Sequence, residues 1–116
     1  MPSISELMRA NLFDVFNERD DNRRAAAIAA TYAPDVSFND PEESVTGHAA
    51  VDAKAAKLLA DAPDFAFSAA GPILEAADLG YLAWHFGPEG GDPVASGLDI
   101  ALVQDGQIVK LYTLLT

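Results

Sequence analysis

The chain has 116 residues, 50% of them hydrophobic, which suits one compact domain over residues 1–116 and is too little for two independent cores. Its formal net charge of −11 comes from 18 acidic and 7 basic side chains, and this negative field argues against nucleic acid and membrane surfaces as partners. The absence of cysteine excludes disulfides, thiolate catalysis and thiolate metal sites.

The N-terminal segment predicts an amphipathic helix rather than a targeting signal. It lacks a basic region followed by an apolar run, and no stretch approaches the roughly 20 apolar residues that span a bilayer, so we expect a cytoplasmic protein. Ser3 followed by Glu6 is typical of a capping box at a helix start. Apolar residues then recur at helical spacing: Ile4, Leu7, Met8, Leu12, Val15 and Phe16.

Two more helices are predicted in the first half of the chain. AAAIAATYA follows the polar break ERDDNRR and should end near Ala33, because Pro34 disfavours helical geometry in the residue before it. DVSFND is then a short strand and PEESVTG a turn region. The third helix, HAAVDAKAAKLLADA, has four apolar residues on one side: Val51, Ala55, Leu58 and Leu59.

The sequence pattern of the second half of the chain predicts consecutive strands separated by turn residues. The predicted strands are FAFSA, PILEAAD, YLAWHF, VASGLDIALVQ and QIVKLYTLLT. QDGQ favours a tight hairpin, because Asp-Gly tolerates the positive dihedral angles of a primed turn. Helices followed by hairpins indicate an α+β fold, in which helices cover one face of a bent antiparallel sheet.

The last two strands predict a sheet that is buried on both faces. DIALV and IVKLYTLL are apolar at successive positions. In GLDIALV, Leu98, Ile100 and Leu102 share the face opposite to Asp99, since side chains alternate along a strand. The predicted helices can cover only one face, so we expect a second copy of the chain to cover the other in a homodimer.

The order of these elements resembles the nuclear transport factor two-like superfamily, in its SnoaL-like and ketosteroid isomerase-like branch. The resemblance is carried by YAPDVSFNDP at the first strand, Gly47 before the third helix, and the closing GLDIA and DGQI. It implies a cone-shaped, cystatin-like α+β barrel, with helices packed on the concave face of a strongly curved antiparallel sheet and a pocket between them. Members include isomerases, cyclases, hydrolases and proteins without catalysis, commonly as homodimers, and no cofactor is implied.

Two aspartates stand at positions that are catalytic in the ketosteroid isomerase-like pattern. The resemblance implies that Asp40, before a proline at the end of the first strand, is a general base, and that Asp99 donates a hydrogen bond to an oxyanion. A tyrosine expected in the first helix is missing, because Leu12 or Phe16 falls there, which counts against steroid isomerisation. Thr113 stands where limonene-epoxide hydrolases of this fold carry an acid, so that activity is not expected either.

Both aspartates also have a structural interpretation. Asp40 precedes Pro41, and an Asx-Pro pair commonly caps backbone amides of a turn. Asp99 shares its strand face with Gly97 and Ala101, whose small side chains leave room for a cavity where a neutral carboxyl could donate a hydrogen bond. The alternative for Asp99 is a solvated strand residue.

Strand register decides which side chains of AWHF face the pocket. If the family register holds, Trp84 faces it together with its alternate neighbours, whereas a shift of one residue brings in Tyr81 and His85. A metal site has no support, because the chain has only two histidines and no clustered spacing. The candidate ligand contacts are Phe16, Trp84, His85 and Thr113.

The leading hypothesis is a SnoaL-like protein that binds a small apolar, carbonyl-containing molecule and transfers a proton next to the carbonyl without a cofactor. Asp40 would abstract the proton and Asp99 would stabilise the enolate. The alternative is a ligand-binding or dimeric scaffold domain of the same fold without turnover. The paired aspartates favour the enzyme, and the missing tyrosine favours the alternative.

Overall fold

In the computed structural model, which describes residues 1–116, three helices pack on one seven-stranded sheet. The helices are α1 (Ile4–Arg9), extended by a π-helical segment (Ala10–Val15), α2 (Asp21–Thr31) and α3 (His48–Asp61). None of them has the length and apolar character needed to cross a bilayer. The strands are β1 (Tyr32–Asn39), β2 (Ser44–Thr46), β3 (Phe65–Ala69), β4 (Leu74–Ala76), β5 (Leu79–Pro88), β6 (Ala95–Gln104) and β7 (Gln107–Leu115). The predicted α+β class is confirmed.

The first helix begins at the predicted capping box. The Ser3 hydroxyl accepts a hydrogen bond from the Glu6 N–H at 3.1 Å, and the Ser3 N–H donates to the Glu6 carboxylate at 3.0 Å. From Ala10 the helix widens into the π-helical segment, where the Phe16 N–H donates to the carbonyl of Asn11, five residues back. Such segments are rare and occur frequently at functional sites.

The boundary between α2 and β1 differs from the prediction. α2 ends at Thr31 rather than near Ala33, and Tyr32 already pairs with Ile108 of β7. Pro34 favours an extended conformation in Ala33, the residue before it. Tyr32 is also extended, because it pairs with β7. β1 runs parallel to β7, whereas the strands of the second half pair antiparallel with one another, as predicted. Because no hairpin joins β1 directly to β7, the connection does not require the two strands to be antiparallel.

The sheet is curved and open. Its strand order is β2-β1-β7-β6-β5-β3, and β4 pairs with β5 beyond the end of β3. Because β2 and β3 remain edges, the sheet does not close into the barrel that the resemblance implied. The helices cover its concave face, where 18 buried hydrophobic residues form one core cluster. The predicted cone of helices on a curved sheet is thus confirmed, without closure.

The predicted hairpin at QDGQ is confirmed. Asp105 and Gly106 join β6 to β7 with φ angles of 52° and 74°, which are the left-handed values of a primed turn. The hairpin aligns Asp99 of β6 with Thr113 of β7. This register matters for the site, because it brings the two side chains to the same place on the concave face.

The outer face of the sheet carries apolar side chains across β5, β6 and β7. Ile100 lies between Tyr81 and Tyr112, and Leu98 lies beside Leu114 in the next row. Leu98 and Ile100 are half-buried, whereas Tyr112 and Leu114 are exposed. The outer surface of β6 is therefore partly covered by its neighbours within the sheet.

Candidate functional site

A cavity of about 660 Å³ lies between the helices and the concave face of the sheet. The first helix, α3 and six of the strands contribute to its wall. Residues that line it include Phe16, Phe38, Asp40, Lys54, Phe67, Trp84, Asp99 and Thr113. The two predicted aspartates therefore share one cavity, whose volume is within the range typical of small-molecule sites.

Aromatic rings form much of the apolar wall. Phe16 stacks on Phe38 with ring centroids 5.7 Å apart, and Phe67 meets Trp84 edge-on at 5.1 Å. Phe67 also meets Phe16 edge-on at 6.2 Å, which links the two pairs. Packed aromatic pairs hold one another in place, so the wall offers flat, fixed apolar surfaces.

Asp99 is the polar centre of the cavity wall, although only 5% of it is exposed. Its Oδ1 atom accepts a hydrogen bond from the Trp84 indole N–H at 3.1 Å and another from the Thr113 hydroxyl at 2.7 Å. Its Oδ2 atom accepts one from the Asn11 side-chain amide at 2.8 Å. Oδ1 thus uses both of its lone pairs, and Oδ2 uses one of two.

A second layer of polar groups lies behind Asp99, away from the cavity. The Tyr32 hydroxyl donates to Asn11 Oδ1, while the amide nitrogen of Asn11 donates to Asp99. Asn11 and Tyr32 are both 0% exposed, and neither lines the cavity. Burying a polar group costs free energy unless it is hydrogen-bonded, and no buried side-chain polar atom lacks a partner.

Burial raises the pKa of the Asp99 carboxyl, because a low-dielectric site disfavours the charged form. The hydrogen bonds from Thr113, Trp84 and Asn11 oppose part of this rise without cancelling it. Burial also raises the pKa of the Tyr32 hydroxyl, and the charge of Asp99 adds to that shift. Tyr32 therefore remains a hydrogen-bond donor, and Asp99 holds its proton to higher pH than an ordinary aspartate.

Asp40 lies in the turn between β1 and β2. Its Oδ1 atom accepts the backbone N–H groups of Glu42 and Glu43, both at 2.9 Å, and its Oδ2 atom pairs with the Lys54 ammonium. Partial burial opposes ionisation, but the hydrogen bonds from Lys54 and the two amides outweigh it, so the pKa of Asp40 is lowered. Asp40 thus caps its turn and is ionised at neutral pH.

Charged side chains surround the entrance of the cavity and form what we call the rim. The rim consists of Asp40, Glu42, Glu43, Lys54, Lys57 and Asp61. Lys54 also lies 3.3 Å from Glu43 and over the Phe38 ring, and Lys57 pairs with Asp61 at 2.6 Å. Four carboxylates thus face two ammonium groups that are already paired, and the rim repels anions.

Three of the four predicted ligand contacts lie in the cavity, and the fourth lies outside it. Phe16, Trp84 and Thr113 line the cavity with the two aspartates, but His85 does not. His85 is exposed on the opposite face of β5, with Nδ1 2.8 Å from the Ser96 hydroxyl. Because alternate side chains of a strand face opposite sides, inward Trp84 places His85 outward. The prediction of His85 as a pocket residue is wrong.

Three residues of the site were not predicted from the sequence: Asn11, Tyr32 and Lys54. Asn11 interrupts the apolar stripe of the first helix at a position that helical spacing places inside, and this was a usable signal. Tyr32 was assigned to a helix and therefore had no predicted face. Lys54 had no local signal, because its partner Asp40 is distant in sequence.

The fold is an α+β cone with a cavity between its helices and the concave face of its sheet. Residues 10–111 match the model of the SnoaL-like domain, and the chain belongs to that family. A comparison with curated proteins finds no significant match.

Solved structures of low sequence identity share the fold. A SnoaL-like family protein of Agrobacterium tumefaciens, assigned as an isomerase, is 22% identical, with 95% of this chain and 94% of the other covered and a TM-score of 0.87. A protein of Sinorhizobium meliloti assigned as a polyketide cyclase is 18% identical. The match covers 97% of this chain and 94% of the other, with a TM-score of 0.72. A protein of Kribbella flavida assigned as a ketosteroid isomerase is 22% identical. The match covers 97% of this chain and 77% of the other, with a TM-score of 0.70.

Proposed function

We propose that this SnoaL-like protein binds a small, mostly apolar molecule that carries a carbonyl group, and that it promotes proton transfer next to that carbonyl. The observation that carries the proposal is Asp99, a carboxyl of raised pKa on the wall of an aromatic-sided cavity. The neighbours assigned as a polyketide cyclase and a ketosteroid isomerase give secondary support.

The proposed reaction uses the two aspartates in different protonation states. Ionised Asp40 takes a proton from the carbon next to the carbonyl, and the C–H electron pair moves toward the carbonyl to give an enolate. Protonated Asp99 donates a hydrogen bond to the enolate oxygen. Asp40 then returns the proton to carbon, so no cofactor or other reactant is consumed. A positioned acid or base of this kind typically contributes about 10²–10⁴-fold in rate.

The rim restricts the charge of the ligand. Its carboxylates outnumber its ammonium groups, and the whole chain is strongly negative. An anionic ligand would meet repulsion at the entrance and find both lysines already paired with carboxylates. The rim therefore disfavours an anionic ligand, and we propose an uncharged, mostly apolar one.

A second candidate function is ligand binding without turnover. The observation that favours it is the state of Asp40, whose carboxylate oxygens are held by two backbone amides and Lys54. A carboxylate with a lowered pKa is a weaker base. The cavity also has Leu12 and Phe16 on the first helix, where the ketosteroid isomerase-like pattern has a tyrosine.

We also propose a homodimer through the outer face of β5, β6 and β7, because Tyr112 and Leu114 leave apolar surface exposed there. Sedimentation should show a dimer at micromolar concentration for the native chain. Leu114→Glu should shift it toward monomer, whereas Val94→Glu, at an exposed apolar position in the loop before β6, should not. A native chain that sediments as a monomer contradicts the proposal.

The proposed function is tested with 2-tetralone, a small uncharged ketone with exchangeable protons next to its carbonyl. Hydrogen–deuterium exchange of these protons in D₂O should be faster with the native protein and slower with Asp99→Asn and Asp40→Asn. Asp105→Asn in the exposed hairpin and Asp35→Asn on β1 are matched controls. Binding without faster exchange supports the second candidate, and no binding contradicts both.

A further inference from the structure

Of the three side chains that donate hydrogen bonds to Asp99, Asn11 is the one that does not line the cavity. An asparagine amide can offer either its N–H₂ donors or its carbonyl acceptor to a neighbour. If the carbonyl faced Asp99, a protonated Asp99 would donate its hydrogen bond to Asn11, into the core. If the N–H₂ faces Asp99, that route is closed.

Tyr32 decides between these two orientations. Its hydroxyl is fully buried, and Asn11 is its one hydrogen-bond partner. A buried phenol requires an acceptor for its O–H, and the Asn11 carbonyl is the acceptor within reach. With its carbonyl occupied by Tyr32, Asn11 presents N–H₂ to Oδ2 of Asp99, as observed at 2.8 Å.

We propose that Asn11, oriented by Tyr32, is a positioning residue that keeps the proton of Asp99 available to the ligand in the cavity. Oδ1 of Asp99 already receives Trp84 and Thr113, and Asn11 occupies one lone pair of Oδ2. The remaining lone pair of Oδ2 is then the position for the proton. The inference rests on the proposed function, because it assigns a role in preparing Asp99.

Other titratable groups around Asp99 are few. Tyr32 faces it from β1 behind the network, and Asp40 and Lys54 lie on the wall of the same cavity. The neighbours on the π-helical segment, β5 and β7 are Asn11, Trp84 and Thr113, which do not titrate. The titration of Asp99 therefore reports mainly on burial and on its three donors.

The first test needs no substitution and no ligand. In the labelled native chain, the carboxyl carbon of Asp99 and the side-chain amide nitrogen of Asn11 are followed by NMR as a function of pH. Both resonances should titrate with the same midpoint, because the Asn11 donor bonds to the ionised carboxylate. An Asn11 amide that does not respond while Asp99 ionises overturns the inference.

The second test removes the group that orients Asn11. Tyr32→Phe frees the Asn11 carbonyl to accept a proton from Asp99, so the neutral acid gains stability and the pKa of Asp99 should rise by about one unit. Tyr112→Phe removes an equivalent hydroxyl from the exposed outer face and should leave that pKa unchanged.

A folded Tyr32→Phe protein with the native pKa at Asp99 would show that Tyr32 only fills space. If Tyr32→Phe does not fold, the titration of the native chain still decides the question. Neither measurement uses 2-tetralone, so failure here leaves the exchange experiment informative. A failure to bind 2-tetralone likewise leaves the coupling of Asn11 to Asp99 testable.

Discussion

The Trp84 indole N–H donates to the Asp99 carboxylate at 3.1 Å, from one strand to the next. The two residues are not direct cross-strand partners, because Trp84 lies opposite Gly97. The indole can lie across β6 only where its partner lacks a side chain, since a Cβ at Gly97 would be 2.5 Å from Trp84 Cζ2 and closer still to the carbonyl oxygen of Leu114 on β7. Gly97 thus determines how Trp84 reaches Asp99.

Gly97→Ala should therefore displace the indole and, because the new methyl group also meets the Leu114 carbonyl oxygen, shift β7 where Thr113 donates to Asp99. We expect a loss of roughly 1–3 kcal/mol in the free energy of unfolding, as for other overpacked sites. Because Trp84 is the only tryptophan, intrinsic fluorescence reports its environment directly and should change. Ser96→Ala, next to Gly97 on the outward face, is the control. Native emission together with native stability in Gly97→Ala would contradict this account.

Asp99→Asn should alter how stability depends on pH. The pKa of Asp99 is higher in the folded chain than in the unfolded chain. Its stabilising contribution to the free energy of unfolding is therefore fully present below the unfolded pKa of about 3.9. That contribution is lost as the pH rises through the folded pKa. Urea unfolding of Asp99→Asn should therefore show a smaller loss of stability between acid and neutral pH than the native chain. Asp105→Asn should keep the native profile, and parallel profiles for all three proteins would refute the prediction.

Lys54→Met should strengthen Asp40 as a base. Removal of the ammonium raises the pKa of Asp40 toward its ordinary value, because the largest opposing hydrogen bond is lost. If Asp40 abstracts the proton, 2-tetralone exchange should accelerate by about threefold to tenfold at neutral pH. Lys57→Met, three residues further along α3 and paired with Asp61, should have no effect. An unchanged rate in Lys54→Met would indicate that Asp40 only caps its turn.

The charge preference of the cavity can be tested with two fluorescent probes of nearly the same shape. N-phenyl-1-naphthylamine is uncharged, and 8-anilinonaphthalene-1-sulfonate adds one negative charge. We expect the uncharged probe to bind at least about tenfold more tightly at low salt, with the difference narrowing as salt screens the rim. The double substitution Glu42→Gln and Glu43→Gln should also reduce the difference in affinity between the two probes. Equal affinities at low salt would argue against selection by charge.

Much of the fold could be predicted because its determinants are local. The Ser3–Glu6 capping box, the helical stripe and the Asp105–Gly106 turn are each set by residues within a few positions of one another. The parallel pairing of β1 with β7 was not predictable in this way, since it joins residues such as Tyr32 and Ile108 that lie far apart in the chain.

The candidate site was predictable only in part, for the same physical reason. Strand alternation and small neighbours, which are local features, left a solvated Asp99 as an alternative, and the family resemblance added the expectation of a pocket residue. The Asn11–Tyr32 pair depends on a π-helical segment and on a helix ending two residues early, and neither follows from the apolar pattern. His85 was misplaced because strand register depends on the long loop before β6, whose geometry the sequence pattern does not fix.

The most direct test of the central claim is an NMR titration of the Asp99 carboxyl carbon, in the free protein and with 2-tetralone. The pKa of Asp99 should lie clearly above the ordinary value of about 3.9 in the free protein. It should rise further with 2-tetralone, because a carbonyl oxygen accepts a hydrogen bond only from the protonated acid. An ordinary or lowered pKa that does not respond to 2-tetralone would contradict the claim that Asp99 presents a proton to a carbonyl ligand.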